Sequence, residues 1–390
     1  MSFQQIIDQP RVVDALRRAI ERKRVAHAYL FFGPDGVGKR AAALAFAKAL
    51  QCERGGPDPC DVCTSCSKVN RLIHPDVQVL LPSPKDTSPE DIAERLQLLA
   101  GNPYATVDYV RRPVLSDPSK ESNKQALYRI EEFQEDMRRQ MGFKPLEGRY
   151  KIAIITDADL LRNETANAFL KLLEEPPPQT VFVLTTSRPE RLLPTILSRC
   201  QRLRFDLLST DAIAQALHER EGIEPTQAAV LARMADGSYA RALDLAGNED
   251  LLAGRQLVLD YLRAAYANNV DKLADLADQM AGMGRERLKG TFSLMLRWIR
   301  DLLLYRTMGA DAPLVNVDQQ DVIERFCKNI PGVDIEAMIL LVEQAMELVE
   351  RNVHQGLIVT TLAQRLHQTM RGTPVSRLYI PLVEANGLHP

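Results

Sequence analysis

The strongest chemical signal in the chain is a glycine loop that ends in a lysine. The residues that define it are Gly33, Gly36, Gly38 and Lys39. The loop follows the apolar run Tyr29–Phe32 and precedes the Ala- and Leu-rich run Ala41–Leu50, which predicts a strand, a loop and a helix. Glycines let backbone N–H groups turn towards an anion, and the helix N-terminus and Lys39 add positive charge. Residues 33–40 are therefore predicted to form a phosphate cradle; a glycine-rich turn without a ligand is the alternative.

The residue after the lysine is the wrong type for catalysis. Phosphate loops that hydrolyse nucleotides have Ser or Thr there, because its hydroxyl holds Mg²⁺. This chain has Arg40, which is always charged and cannot bind Mg²⁺. The cradle is therefore predicted to hold phosphates without hydrolysing them.

A second strand should supply the acids that handle Mg²⁺ and activate water. The apolar run Lys151–Thr156 is followed by Asp157, Ala158 and Asp159. If Thr156 fills the first acid position, the Mg²⁺ acid is missing and Asp157 is a shortened substitute for the second. If Asp157 fills the first position, Ala158 removes the second acid. Both registers impair one function, in agreement with Arg40.

Four of the six cysteines lie within fifteen residues directly after the predicted helix: Cys52, Cys60, Cys63 and Cys66. In a reducing compartment this spacing predicts a tetrahedral Cys₄ site, most simply for Zn²⁺. Four protein ligands leave no open coordination position, so the ion should be structural. An iron–sulfur cluster or free thiols are the alternatives. We call residues 52–66 the cysteine module.

Composition narrows the function classes. The chain has 390 residues, 45% hydrophobic and 26% charged, which fits two or three folded domains. Its formal net charge of −2 gives no general basic field for nucleic acid. Residues 1–8 lack a signal-peptide core and no run is long enough to span a bilayer, so we expect a cytoplasmic protein without a membrane partner.

Strand and helix patterns alternate in the first half and then change. Strands are predicted at Asp76–Leu81, Lys151–Thr156, Val181–Thr185 and Gln201–Phe205, in addition to the one before the cradle. Alternation with helices predicts a parallel α/β sheet with ligand chemistry at the carboxyl ends of the strands. From Asp211 onward the strand signal stops and helical periodicity predicts helices. They are Asp211–Glu219, Glu224–Ala235, Tyr239–Ala246, Leu251–Ala267, Arg285–Met308, Asp334–Arg351 and Val353–Arg371.

Several stretches resemble bacterial clamp-loader subunits of the AAA+ class. They are Ala26–Phe31 before the cradle, the cysteine module, Asn167–Pro177 and Leu197–Cys200, and together they span roughly residues 8 to 245. Within that family the sequence is more similar to the delta-prime branch of the DNA polymerase III loader, whose cradle and acids are degraded. The resemblance implies a parallel-sheet AAA+ phosphate-loop domain with a zinc module (1–206), a small helical lid (207–250) and an all-α C-terminal collar domain (251–390).

The resemblance also implies roles for single residues. Family members form a five-subunit ring fragment with ATP between neighbours. Arg199 matches the arginine finger that acts on the adjacent subunit. Arg241 matches the second nucleotide-sensing position, and Thr186 lies near the first. Intact Lys39 and glycines are compatible with bound ATP, whereas hydrolysis is not expected.

The implied partners are the motor subunits gamma/tau, the delta subunit, the sliding clamp and primer-template DNA. Two alternatives are a working motor ATPase of the gamma/tau kind and a phosphate-loop enzyme outside the family, such as a nucleotide kinase. The segment Pro82–Ser122 has no function in any of these interpretations.

Overall fold

The computed structural model describes residues 2–85, 87–109, 112, 114–115, 126–129, 133, 143–247, 249–375 and 377–379. The chain forms two compact units that divide between Asp244 and Leu245. The sequence also predicts a helix over Ile130–Met141, of which the structure describes only Phe133, and part of Pro82–Ser122 lies outside the described residues as well. The predicted boundaries between the first domain, the lid and the collar stay predictions.

The first unit is built on one five-stranded sheet. Its strands are β1 (Ala28–Phe32), β2 (Val77–Leu80), β3 (Lys151–Ile155), β4 (Thr180–Thr186) and β5 (Gln201–Arg204). They lie in the order β2-β3-β4-β1-β5, and every pairing is parallel. The predicted parallel α/β class is confirmed. Because the strands run in one direction, their carboxyl ends share one edge of the sheet, where loops can converge on a ligand.

Helices connect these strands and follow them. They are α1 (Pro10–Glu21), α2 (Lys39–Gln51), α3 (Thr64–Asn70), α4 (Pro89–Gly101), α5 (Asn163–Glu174), α6 (Pro194–Leu197), α7 (Thr210–Glu221), α8 (Pro225–Met234) and α9 (Tyr239–Ala246). The start of α4 is set by its sequence: the Ser88 hydroxyl accepts a hydrogen bond from the N–H of Asp91, and Pro89 fills the first helical position. The helix α3 inside the cysteine module was not predicted.

The sheet core is apolar and rich in edge-to-face aromatic pairs. Phe169 of α5 meets Phe182 of β4 with ring centroids 5.2 Å apart, and Tyr29 of β1 meets Phe46 of α2 at 5.0 Å. All four side chains are fully buried. Such packing holds the strand ends, and therefore the cradle, in fixed positions.

Every element that the structure describes in the second unit is helical, which confirms the predicted all-α C-terminal region. The α-helices are α10 (Glu249–Ala267), α11 (Val270–Ala281), α12 (Arg285–Met308), α13 (Gln320–Asn329), α14 (Ile335–Glu350) and α15 (Gln355–Met370). Helix α12 buries Phe292, Met295 and Ile299 in a common core with α14 and α15. The sequence reading missed α11 and α13. None of the described helices is long and apolar enough to cross a membrane.

A buried ion pair fixes β2 against β3. The Asp76 carboxylate lies 2.8 Å from the Lys151 ammonium and accepts backbone N–H groups from Leu146, Glu147 and Gly148. Burial by itself would raise the pKa of Asp76, but the hydrogen bonds from Lys151 and the three backbone N–H groups outweigh it and lower the pKa to about 2. The pair thus ties the sheet to the loop at residues 146–148.

We predict that Asp76→Asn lowers the free energy of unfolding by about 3–5 kcal/mol at pH 7, because it leaves the Lys151 charge buried and unpaired. The depressed pKa stabilises the fold above about pH 4, and this contribution disappears as the pH falls towards 2. The difference between variant and wild type in urea unfolding should therefore shrink between pH 7 and pH 3. Glu147→Gln, which removes the part-exposed pair with Lys68, is the control and should change stability by at most about 1 kcal/mol. A difference that does not depend on pH would contradict the assignment.

Candidate functional site

The phosphate cradle has the backbone that its glycines were predicted to provide. It joins β1 to α2, and Gly33, Gly36 and Gly38 have φ angles of 147°, 74° and 100°. A Cβ on Gly33 would lie 2.2 Å from the Phe205 carbonyl oxygen, so no other residue fits there. Gly38 is the N-cap of α2, whose free N–H groups face the loop. The predicted strand, loop and helix are thus present.

Lys39 points into its own loop. Its ammonium donates to the Gly33 carbonyl at 2.7 Å and lies 3.8 Å from the Asp35 carboxylate, and the side chain is 7% exposed. The loop carbonyls and Asp35 therefore hold the Lys39 ammonium, which is the positive charge that would bind a phosphate.

Arg40 lines the same cavity from the start of α2. Its Nη2 donates to the Ala105 carbonyl at 3.0 Å, which ties the cradle to the chain that follows α4. The position that usually supplies a magnesium ligand is therefore filled by a cation engaged in a structural hydrogen bond.

Tyr104 covers the loop. A Cβ on Gly38 would lie 2.9 Å from the Tyr104 hydroxyl, and the ring is 3% exposed. The hydroxyl accepts the N–H of Ile7 at 3.0 Å, and burial raises the pKa of Tyr104 to about 12. The remaining cavity, lined by the cradle, Pro103, Tyr104, Asp157 and Thr185, has a volume of about 30 Å³, which accommodates about two water molecules.

The acid positions lie at the carboxyl end of β3, as predicted. Asp157 lines the cavity in a left-handed backbone conformation (φ 45°), and its N–H donates to the Thr185 hydroxyl at 3.3 Å. A second cavity of about 420 Å³ shares Asp157 and Asp35 but contains none of the loop glycines. Asp157 is thus the acid that β3 contributes to the cavity beside the cradle.

Thr186 has a different environment from that of Thr185. It is fully buried, donates to the Asp159 carboxylate at 2.7 Å and accepts the N–H of Arg188 at 2.9 Å. Its hydroxyl therefore orders the turn after β4, while Thr185 is the β4 residue that lines the cavity. The predicted sensing role of Thr186 stays a prediction.

Arg241 lies on α9, whose first residues contact the cradle. Its guanidinium is half-exposed and pairs with Asp236 at 2.8 Å. The N–H groups of Tyr239 and Ala240, at the start of the same helix, donate to the Gly36 carbonyl at 3.1 and 3.3 Å. The helix therefore contacts the loop through its backbone, and the sensing role of Arg241 stays a prediction.

Arg199 lies at the amino ends of the parallel strands, whereas the cradle lies at their carboxyl ends. It comes two residues before β5, which runs parallel to β1 with Gln201 opposite Tyr29. The cradle follows the carboxyl end of β1, so a strand length, about 13–17 Å, separates the two sites. The guanidinium is one-third exposed and donates to the Glu174 carboxylate at 2.8 Å and to the Thr195 carbonyl at 3.0 Å. Arg199 therefore cannot act on the cradle of its own chain.

The four cysteines converge as predicted. Their Sγ atoms all lie within 4.8 Å of one another. Four thiolates bound to one tetrahedral Zn²⁺ at about 2.3 Å are about 3.8 Å apart, so the cluster fits a single ion after a small contraction. Cys52 is the C-cap of α2 and Cys63 the N-cap of α3, so two helix ends set the positions of two ligands.

Hydrogen bonds prepare the sulfur atoms for a cation. The N–H groups of Cys60 and Cys66 donate to the Sγ atoms of Cys52 and Cys63, each at 3.4 Å. The backbone N–H of Val62 lowers the pKa of the Cys60 thiol to about 6, whereas burial raises the pKa of Cys66. A bound metal would supply the charge that keeps the buried Cys66 thiolate stable.

The module is anchored to the first domain by buried polar groups. Lys48 of α2 is 1% exposed and pairs with Asp61 and, at 2.9 Å, with the Asn70 side chain. Gln51 accepts the N–H of Arg149 at 3.0 Å, so the loop fixed by Asp76 also holds the end of α2. Cradle and cysteine module therefore share one rigid helix.

Two contacts of the cradle were missed at the sequence level. Tyr104 and Ala105 follow the carboxyl end of α4, but no local pattern states which surface such a turn will meet. The nearest usable signal was Arg40 itself, because a buried guanidinium needs a carbonyl or carboxylate partner from elsewhere in the chain.

Comparison with known proteins now decides the family. Residues 8–209 match the family model described as DNA polymerase III, delta subunit. The DNA polymerase III subunit delta′ of Bacillus subtilis is 31% identical over 353 residues, which are 90% of this chain and 94% of that relative. The chain belongs to the DNA polymerase III delta-subunit family. This confirms the predicted resemblance.

Two further proteins are similar to most of this chain. The DNA polymerase III subunit tau of Bacillus subtilis is 27% identical over 399 residues, which are 95% of this chain but 63% of that relative's length. A solved structure of a gamma-subunit-related protein from Thermotoga maritima covers 92% of this chain and 99% of its own, with 18% identity and a TM-score of 0.37.

For the cysteine module we predict that the purified chain carries about one equivalent of Zn²⁺. Cys60→Ser should lower both the metal content and the thermal stability, because binding energy at a structural site is folding energy. Metal content by mass spectrometry and melting curves measure both. Cys327→Ser, in the second unit, should leave the metal content unchanged. A folded, stable protein without metal would contradict the assignment.

Proposed function

We propose that this chain is a clamp-loader subunit of DNA polymerase III that does not hydrolyse ATP itself and supplies Arg199 to a neighbouring ATPase subunit. The proposal rests on the family membership and on one pair of observations. The cation Arg40 is hydrogen-bonded to Ala105 where a magnesium ligand is required, and Arg199 is at the far edge of the sheet.

The chemistry at the cradle supports the first half of the proposal. Phosphoryl transfer needs Mg²⁺ held between a loop hydroxyl and an acid. Arg40 offers no ligand and repels a second cation. Two acids line the cavity among the described residues, Asp157 and the loop residue Asp35, and Asp35 already lies 3.8 Å from the Lys39 ammonium. A magnesium ion at this position would therefore lack the loop hydroxyl that normally holds it.

The environment of Arg199 supports the second half. A guanidinium on a neighbour can neutralise the charge that develops on transferred phosphate oxygens. Its partner Glu174 is half-exposed, and such surface pairs contribute about 0–1 kcal/mol. Arg199 can therefore exchange Glu174 for a phosphate at little cost.

The similarity to other DNA polymerase III subunits suggests which partners this chain has. We expect gamma/tau motor subunits and a delta subunit as partners, with the sliding clamp and primer-template DNA bound by the complete complex in the cytoplasm. The cysteine module would hold a structural Zn²⁺ through Cys52, Cys60, Cys63 and Cys66. A single ion fits better than an iron–sulfur cluster, because several irons and sulfides between the thiolates would hold them farther apart than 4.8 Å.

A working motor ATPase of the gamma/tau kind is the second candidate. Two observations favour it: Lys39 and the glycines are intact, and Asp157 lines the cavity. In that case the isolated chain would hydrolyse ATP and Lys39→Ala would abolish turnover. We expect no steady-state ATPase from the wild type, and little restored by Arg40→Thr, because the acids are altered as well. Turnover that depends on Lys39 would refute the first proposal.

For the finger we predict that Arg199→Ala lowers hydrolysis at the neighbouring site of a reconstituted loader by ~10³–10⁵-fold, with nucleotide binding unchanged. Steady-state ATPase with clamp and primed DNA, together with nucleotide binding to the same complex, measures both quantities. Arg202→Ala, an exposed arginine on β5, is the matched control and should retain the rate. An unchanged rate in the Arg199 variant would remove this role.

A further inference from the structure

The residues that follow α4 form a rigid turn, which we call the Tyr104 segment (residues 102–109). The Asn102 carboxamide accepts the N–H of Tyr104 at 3.0 Å, and the Asn102 carbonyl accepts the N–H of Ala105 at 2.9 Å. Arg95 of α4 is fully buried and donates to the Val107 carbonyl at 2.8 Å. The segment is therefore held in one conformation by its own hydrogen bonds and by α4.

This turn brings one aromatic side chain onto the cradle. Tyr104 lies against Gly38, accepts the Ile7 N–H, and packs edge-to-face on Tyr239 with ring centroids 5.0 Å apart. The Thr106 hydroxyl donates to the Asp244 carboxylate at 2.8 Å. Tyr104 thus joins the N-terminal segment, the glycine loop and α9, and it covers the open face of the loop.

Three polar groups of the cradle have partners from the chain. Lys39 meets loop carbonyls, the Gly36 carbonyl accepts two N–H groups from α9, and Arg40 donates to Ala105 of the segment. Space of about 30 Å³ remains, whereas sites for small molecules occupy about 300–1,000 Å³. This volume is large enough for about two water molecules but too small for a triphosphate.

We propose that the Tyr104 segment is the resident occupant of the phosphate cradle and that Tyr104 is the residue that excludes a nucleoside triphosphate from this chain. Arg40 and the Tyr104 segment act together. The Arg40 cation stands where the magnesium-binding hydroxyl would be, and it also holds the segment through the Ala105 carbonyl. This gives a role to part of the region 82–122, for which the sequence suggested none. The inference deepens the proposed function, since it adds to a cradle that does not hydrolyse ATP the reason that ATP does not enter.

The arrangement makes a quantitative statement about affinity. ATP can bind only in the fraction of molecules in which Tyr104 has left the loop, and the apparent dissociation constant is raised by the inverse of that fraction. Removing the ring should therefore tighten ATP binding, whereas removing only the hydroxyl should not, because the ring still fills the space.

The test is calorimetric titration of ATP, with and without Mg²⁺, into the full-length chain and its variants. We expect no measurable binding by wild type or Tyr104→Phe. Tyr104→Ala should bind at least about tenfold more tightly than wild type, and the double variant Arg40→Thr with Tyr104→Ala more tightly still. Circular dichroism and melting curves establish that each variant is folded.

Two results would overturn the inference. One is wild type that binds ATP as tightly as Tyr104→Ala, and the other is a folded Tyr104→Ala that shows no measurable binding or an affinity within about twofold of wild type. If the double variant does not fold, Tyr104→Ala and Tyr104→Phe alone decide the outcome. Binding without hydrolysis by wild type would reject the occupant role of Tyr104 and leave the non-hydrolysing subunit intact. An unchanged ATPase rate in the Arg199→Ala loader would reject the proposed arginine finger and leave the role of Tyr104 in the cradle intact.

Discussion

The parallel direction of the five strands is the constraint on which the rest depends. It puts every loop that could touch a nucleotide at the carboxyl edge of the sheet, including the cradle after β1 and Asp157 after β3. The same constraint puts Arg199, just before β5, at the amino edge. One chain therefore has its phosphate-binding loop and its available guanidinium on opposite sides, and the two can meet only through a neighbour.

The cradle shows how a binding loop can persist after its chemistry has gone. Its glycines are still required, because Phe205 and Tyr104 approach too closely for any side chain at Gly33 or Gly38. The loop also receives N–H groups from α9 at Gly36. A packing role of this kind keeps the glycines in the sequence whether or not phosphate binds.

Helix α2 couples this loop to the cysteine module. It begins at the cradle and ends at Cys52, and its buried Lys48 and Gln51 connect to the module and to the loop before β3. A metal ion in the module would thus stabilise the helix that presents the loop. A Cys₄ site with no open coordination position suits this purely structural role.

Local patterns predicted much of this architecture. The strand, loop and helix around Gly33–Lys39, the parallel sheet and the four converging cysteines follow from spacing and periodicity, which act over short stretches of chain. The contacts of Arg40 with Ala105 and of Tyr104 with Gly38 could not be predicted, because they join segments about 65 residues apart and depend on where a turn lands. Helices α11 and α13 were missed although their apolar residues recur at helical spacing: α11, for example, buries Leu276, Ala277 and Met280 on one face.

The most direct test of the central claim is a structure of the assembled loader with a non-hydrolysable ATP analogue. The account predicts the Arg199 guanidinium within about 3 Å of a γ-phosphate oxygen on the adjacent subunit, and Tyr104 still against Gly38 in this chain. An analogue with Mg²⁺ in this chain's own cradle, together with Arg199 exposed to solvent, would contradict it.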